Sequence, residues 1–174
     1  QNGVYYAQLA DLQLKTNDLQ GALASAQKAM QLAPESPDAA DVFTRAEVGL
    51  GNPEPAISFW QNWSKSHPND GRGPRILGTL AEAKGDLAEA QQYYKKALEL
   101  SPDDAIAANN LAFLMVDGGQ NPDVALNLAQ NARRALPNSP DTADTLAWVY
   151  YAKGNFNSAR DLLESALRTV PDGP

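Results

Sequence analysis

The sequence predicts an all-α protein, an α-solenoid of five stacked helix–turn–helix units. Three observations carry that prediction. Pro34, Pro68, Pro102, Pro137 and Pro171 follow one another at intervals of 34, 34, 35 and 34 residues. Ala22, Ala56, Ala90, Ala125 and Ala159 keep the same interval. In four of the units a glycine (Gly51, Gly85, Gly119 or Gly154) separates two stretches of helical periodicity. A unit of this size cannot bury a core alone, so it must stack on its neighbours, and about three units are the minimum.

The units run 3–36, 37–70, 71–104, 105–139 and 140–173. Residues 85–102, GDLAEAQQYYKKALELSP, show the second half of a unit most clearly: a turn glycine, apolar and small residues at helical spacing, then a proline. In the first unit Asn17 replaces the turn glycine, and asparagine is the next residue most tolerant of a left-handed turn. The second unit opens on Ser36-Pro37-Asp38, an N-cap, a proline at the first helical position and an acid facing the helix dipole. Trp63 stands there where Ala29, Ala97, Ala132 and Ala166 stand in the other units, so its packing must differ. In the third unit Pro74 follows Gly71-Arg72-Gly73, which predicts a late start for the first helix. The fourth carries its extra residue in the loop 117–122. The fifth opens on Ser139-Pro140-Asp141, a second capping sequence. Each first helix has a small residue at its eighth place (Ala10, Thr44, Gly78, Ala112, Ala147) beside a larger one (Leu9, Phe43, Leu77, Leu111, Leu146). The small side chains admit a close helix–helix approach and the larger ones fill the seam.

With 21 acidic and 14 basic residues the chain carries a net charge of −7. Nucleic acid is thereby disfavoured as a partner, because phosphate binding needs a basic footprint. The absence of cysteine removes disulfides, thiolate metal sites and thiol nucleophiles. No apolar run approaches the roughly 18 residues of a membrane span. The chain begins Gln1-Asn2 directly in helical pattern and reads as a piece of a longer protein.

Catalysis finds no support among the motifs. His67, the only histidine, sits beside Pro68 at a helix end, where the dipole favours a cation. Gly71-Arg72-Gly73 lacks the third glycine and the lysine of a phosphate cradle. Asn62-Trp63-Ser64 is a glycosylation sequon by pattern, but it falls inside a predicted helix. No spacing of His, Asp and Glu suggests a metal, and no cofactor is implied. Lys95-Lys96 and Arg133-Arg134 read as solvated faces.

The pattern resembles the tetratricopeptide repeat over essentially the whole chain, with Tyr6, Tyr94 and Tyr150 at the usual bulky places. The wording NNLAFLMVDGG (109–119) and DTLAWVYYAKGNF (144–156) resembles bacterial members of exported or envelope-associated type. Whether the compartment is bacterial envelope, periplasm or cytoplasm is undecided by the sequence. The resemblance implies a right-handed superhelix whose first helices line a concave groove that holds peptides or partner segments. Carried over place by place, the groove residues are Arg45, Arg72, Arg75, Asn109, Phe113, Asp144, Trp148 and Tyr151, joined by Asp38, Asp41 and Thr79. Two readings of the arginines stand side by side: they take an acidic group of the partner, or Arg72 or Arg75 pairs with Asp41. Phe113 and Trp148 are expected to hold an apolar side chain. The carboxylate clamp of chaperone-binding members does not carry over, because Ala7, Asp11, Val42, Arg72 and Ile76 occupy its places.

The implied function is a non-enzymatic protein-interaction scaffold. Two alternatives differ in class: the repeat arm of a larger enzyme such as a glycosyltransferase or kinase, and an architectural segment of an envelope or polysaccharide-export assembly. Leu163, Leu167 and Val170 lie on a helix without a following neighbour, so either further repeats have been removed or two ends meet in an end-to-end homodimer.

Overall fold

The computed structural model describes residues 2–169 and contains ten α-helices and no strand among them. The chain forms two compact units, residues 1–62 and 63–174. In the first lie α1 (Asn2–Lys15), α2 (Leu19–Leu32), α3 (Pro37–Gly49) and most of α4 (Glu54–Ser66). The second holds the end of α4 with α5 (Arg72–Ala83), α6 (Leu87–Leu100), α7 (Ala105–Asp117), α8 (Pro122–Ala135), α9 (Pro140–Ala152) and α10 (Phe156–Thr169).

The all-α helical-repeat fold follows from the periodic alanines. Ala22, Ala56, Ala90 and Ala125 are inaccessible to solvent, and Ala159 is buried. Asn17, Gly51, Gly85, Gly119 and Gly154 all adopt positive φ, which ends each first helix in a left-handed turn. Asp18, Asp86, Asp104 and Asn121 cap the helices that follow them with side-chain oxygens. The expected stop at Pro171 and the place of Val170 lie outside the described residues.

In the first unit α1 packs on α2 and α3, and α2 packs on α3. The α3–α4 contact is aromatic: Phe59 meets Phe43 and Trp60 edge-on, and the Trp60 indole N–H donates to Thr44 Oγ1 at 2.8 Å. In the second unit a single core runs from Ala81, Ala90 and Tyr94 through Leu111 and Leu114 to Leu146 and Val149. Here Gly78 permits the close approach of Tyr94, whose ring would stand 2.7 Å from a Cβ at that position. Thr44 with Trp60 and Gly78 with Tyr94 are two solutions of one problem. A larger second-helix side chain is met by a hydroxyl partner in one case and by an absent side chain in the other.

Burial pushes the Tyr94 hydroxyl up to about 12, assisted by Glu82 Oε2 at 2.8 Å, while bonds to Thr79 and Asn110 oppose the rise.

Three local expectations are refined. α5 begins at Arg72, one place later in its unit than α3, α7 and α9 begin in theirs, so the late start amounts to a single residue, and Pro74 lies in the first turn, where the missing N–H costs nothing. Asp70 Oδ1 accepts the Arg72 N–H at 2.9 Å and so takes the capping role that Gly71 cannot fill. Ser36 caps α3 as expected, but Ser139 makes no side-chain bond at α9. Instead the Thr142 hydroxyl and Arg133 Nη1 both reach the Ser139 carbonyl, at 3.0 Å each. Arg133 is therefore half-buried and tied to the backbone, not a solvated face, whereas Lys95, Lys96 and Arg134 are exposed.

Candidate partner-binding surface

The residues expected to face a partner lie on first helices, at places that the helical period leaves outside the seams. Those in the first unit, Asp38, Asp41 and Arg45, are charged, and Arg45 is held by carboxylates of the same unit. Arg45 Nη1 lies 2.9 Å from Asp11 Oδ1 and 3.4 Å from Asp41 Oδ2, and Lys15 Nζ lies 2.7 Å from Asp11. Hydrogen bonds from Lys15 and then Arg45 hold the Asp11 carboxyl below the usual carboxylate range, and Asp11 raises Arg45 in turn. Asp11, Asp41 and Arg45, with Asp38, line a cleft of about 480 Å³ together with Val4, Ala7 and Val42.

The arginines of the second unit are bound still more closely. Arg72 Nε and Nη2 form a fork on Asp70, at 3.0 and 2.7 Å, and the guanidinium lies 5.3 Å from the centre of the Trp63 ring. The Trp63 indole N–H donates to the same carboxylate at 2.9 Å, and His67 stacks on Trp63 with ring centres 4.1 Å apart. Partial burial would raise the Asp70 carboxyl. The bonds from the Arg72 side chain, the Arg72 N–H and the Trp63 indole outweigh it and hold the group at about 2. Trp63 thus fills its alanine place by anchoring the loop that opens α5, and His67 is structural.

Arg75 Nε lies 3.1 Å from Asp104 Oδ2, both side chains being largely covered, and Asp104 also caps α7. The partners of the two arginines are therefore Asp70 and Asp104, and the partner of Asp41 is Arg45. A pairing of Asp41 with Arg72 or Arg75 does not describe them, and none of the three cations lacks a carboxylate. That geometry removes the ground for assigning an acidic ligand group to them.

Asn109 is buried, not presented to solvent. Its Nδ2 donates to Asn110 Oδ1 at 3.2 Å, while its own Oδ1 is buried without a hydrogen bond. Asn110 continues the network to the Tyr94 hydroxyl at 3.0 Å. Phe113 is half-buried against the core of the second unit.

α9 differs from all of these. Asp144, Trp148 and Tyr151 recur at i, i+4 and i+7, so they share one face, and all three are exposed. The Trp148 and Tyr151 rings are parallel within 7°, with centres 5.5 Å apart. Phe156, the first residue of α10, meets Tyr151 edge-on at 5.3 Å. Each of the three rings is 40% or more exposed. The Asp144 and neighbouring Asp141 side chains enter no hydrogen bond or ion pair among the described residues, and Lys153, the cation nearest to Asp144 in sequence, pairs with Asp123. The sequence reading found Trp148 and Tyr151 but missed Phe156. Its signal was present, since Leu19, Pro53, Leu87 and Pro122 hold that place in the other units and only the last has an aromatic ring.

Chemically, the α9 face offers flat π surface beside two unneutralised carboxylates. Such a surface suits a cation attached to an apolar stem. Among the described residues no group of His, Asp and Glu could hold a metal ion, and no helix is long and apolar enough to cross a membrane.

Comparison with known proteins supports the repeat assignment. Family models described as "Tetratricopeptide repeat" match residues 4–36, 75–104 and 119–174. The TPR repeat-containing protein PA4667 of Pseudomonas aeruginosa is 27% identical over 152 residues, which is 85% of this chain and 26% of that protein. The chain thus spans about a quarter of that relative's length. Among solved structures, yeast Tom70 superposes with a TM-score of 0.83 at 18% identity, covering 97% of this chain and 36% of Tom70. YrrB, a TPR protein with an unusual peptide-binding site, superposes with a TM-score of 0.61 at 23% identity, covering 96% of this chain and 86% of YrrB. At such identities the superpositions speak for the fold alone.

Proposed function

The chain belongs to the tetratricopeptide-repeat family, and from that premise we propose that it is a non-enzymatic interaction module that holds a basic, extended segment of a partner protein on the exposed face of α9. The observation that carries this reading is the stacked Trp148–Tyr151 pair, extended by Phe156 and bordered by Asp144. Aromatic side chains left in water on a repeat surface cost solubility and return nothing to the fold. Their rings anchor partners well because they bring a large contact area at little conformational cost. From Asp144 to Tyr151 the face runs about 10 Å along the helix. An extended segment of about three or four residues spans that distance.

Charge selects the partner's sign. The chain is acidic overall and its first-helix arginines already hold carboxylates, so an acidic peptide would meet Asp144 without a free cation to receive it. A lysine or arginine can lay its stem across Trp148 and direct its head group to Asp144. That YrrB, a protein of this fold, has a peptide-binding site supports a peptide as the class of ligand.

The test uses fluorescence anisotropy with two labelled peptides, one of alternating arginine and leucine and one of alternating glutamate and leucine. The basic peptide should bind and weaken as salt rises, and Asp144→Asn should weaken it at unchanged helicity. Equal binding of the acidic peptide would overturn the reading.

A further inference from the structure

The cluster at the start of α5 shows how this chain itself holds an arginine. Arg72 Nε and Nη2 fork onto Asp70, and the same guanidinium lies 5.3 Å from the centre of the Trp63 ring. A planar guanidinium can serve both groups at once, because its edge carries the donors that a carboxylate accepts and its face is left for a ring. A lysine ammonium is a compact, strongly hydrated point charge and offers neither the fork nor the flat face.

α9 carries the same two kinds of group with no arginine between them. Asp141, Asp144, Trp148 and Tyr151 follow one another at steps of three, four and three residues, so they form one stripe along the helix. The stripe is acidic in its N-terminal half and aromatic in its C-terminal half, and all four side chains are exposed. The cations at its two ends are already engaged: Arg133 is bound to the Ser139 carbonyl, and Lys153 pairs with Asp123. The exposure belongs to the place and not to the end of the chain. Arg45 and Thr79 hold the Trp148 place on α3 and α5 and are exposed too, although further helices follow both.

We propose that the α9 stripe selects arginine over lysine in the partner segment, the guanidinium forking onto Asp144 while its face lies on the Trp148 ring. Asp141, one turn before Asp144, adds a second negative charge to the acidic end. Residues two apart in an extended segment share a side, so an apolar residue two places from the arginine reaches Tyr151 and Phe156. The inference rests on the α9 reading and narrows its ligand from a basic segment to an arginine-bearing one. Long-range attraction to a chain of net charge −7 is the same for arginine and lysine, so the choice between them depends on the carboxylate and the ring acting together.

Calorimetric titration with two peptides that differ only in the cation tests it, one of alternating arginine and leucine and one of alternating lysine and leucine. The arginine peptide should bind roughly tenfold more tightly. Asp144→Asn should bring the two affinities within about twofold, because a carboxamide has one oxygen where the fork needs two. Trp148→Leu keeps apolar cover but removes the ring face, and it should weaken the arginine peptide several-fold more than the lysine peptide. Both side chains are exposed, so circular dichroism should show unchanged helicity, and either variant decides the matter if the other loses it. Equal affinities for the two peptides overturn the selectivity and leave α9 a site for basic segments in general. A preference for arginine that survives both substitutions also overturns it, since the guanidinium would then sit elsewhere. Failure of both peptides to bind overturns the α9 reading and this inference with it.

Discussion

The outward faces of α3 and α9 use the same two places of the repeat for opposite ends. On α3 these places hold Asp41 and Arg45, and Arg45 reaches back to Asp11 on α1, so the charges are consumed inside the protein. On α9 they hold Asp144 and Trp148; the carboxylate has no ion pair among the described residues, and the indole, though stacked on Tyr151, stays exposed. The difference teaches how a repeat scaffold separates stability from recognition. The place held by Ala22, Ala56, Ala90, Ala125 and Ala159 is invariant because it must pack closely. The outward places are free to vary, and whether they bind depends on whether neighbouring repeats have already satisfied them.

The sharpest way to break this contrast is to remove the α9 rings. Trp148→Ala/Tyr151→Ala should weaken the basic peptide roughly thirtyfold, equivalent to about 2 kcal/mol, with melting temperature unchanged. Isothermal titration calorimetry and a thermal melt report the two quantities. Next in size, Arg75→Ala should lower stability by about 1–2 kcal/mol in chemical denaturation, because it strips a charge-assisted bond from the largely covered Asp104. Peptide affinity should be unaffected, and a loss of binding without a loss of stability would return Arg75 to the recognition surface.

Acid should then act through the second unit. Asp70 titrates at about 2 in the fold and near about 4 in an unfolded chain, so its contribution is present above pH 4 and disappears as pH falls through 2. The melting temperature of the unmodified protein should therefore fall toward that of Asp70→Asn over this window. Parallel curves would show that the Arg72–Asp70–Trp63 cluster adds no pH-linked stability. The smallest effect is expected from Arg45→Ala, whose exposed pairs should leave the melting temperature where it was in moderate salt.

Most of the fold could be read from the sequence because its determinants recur. One buried alanine proves little, but five at a constant interval define a seam, and the positive-φ turn at Asn17 was visible because four glycines mark its equivalents. What was missed lay in contacts that occur once. Pro74 predicted a late start for α5, which is late by one residue only, because Asp70, outside the helix, supplies the cap. The partners of Arg72 and Arg75 are a loop residue and a capping residue, and periodicity says nothing about either. Asn109 sat at an outward place by count, yet the side chain is buried and bonded to Asn110. Phe156 lay across a turn from Tyr151, so its part in the aromatic cluster required the geometry of the Gly154 turn.

The most direct test follows the three indole N–H resonances in a nitrogen–proton correlation spectrum while the arginine–leucine peptide is added. Trp60 and Trp63 donate to Thr44 and Asp70 inside the protein and serve as internal references, whereas Trp148 faces solvent. A progressive, saturable shift of the Trp148 signal, with the other two nearly still, is the predicted result. A Trp148 signal that stays fixed while the peptide binds would place recognition elsewhere and contradict the account.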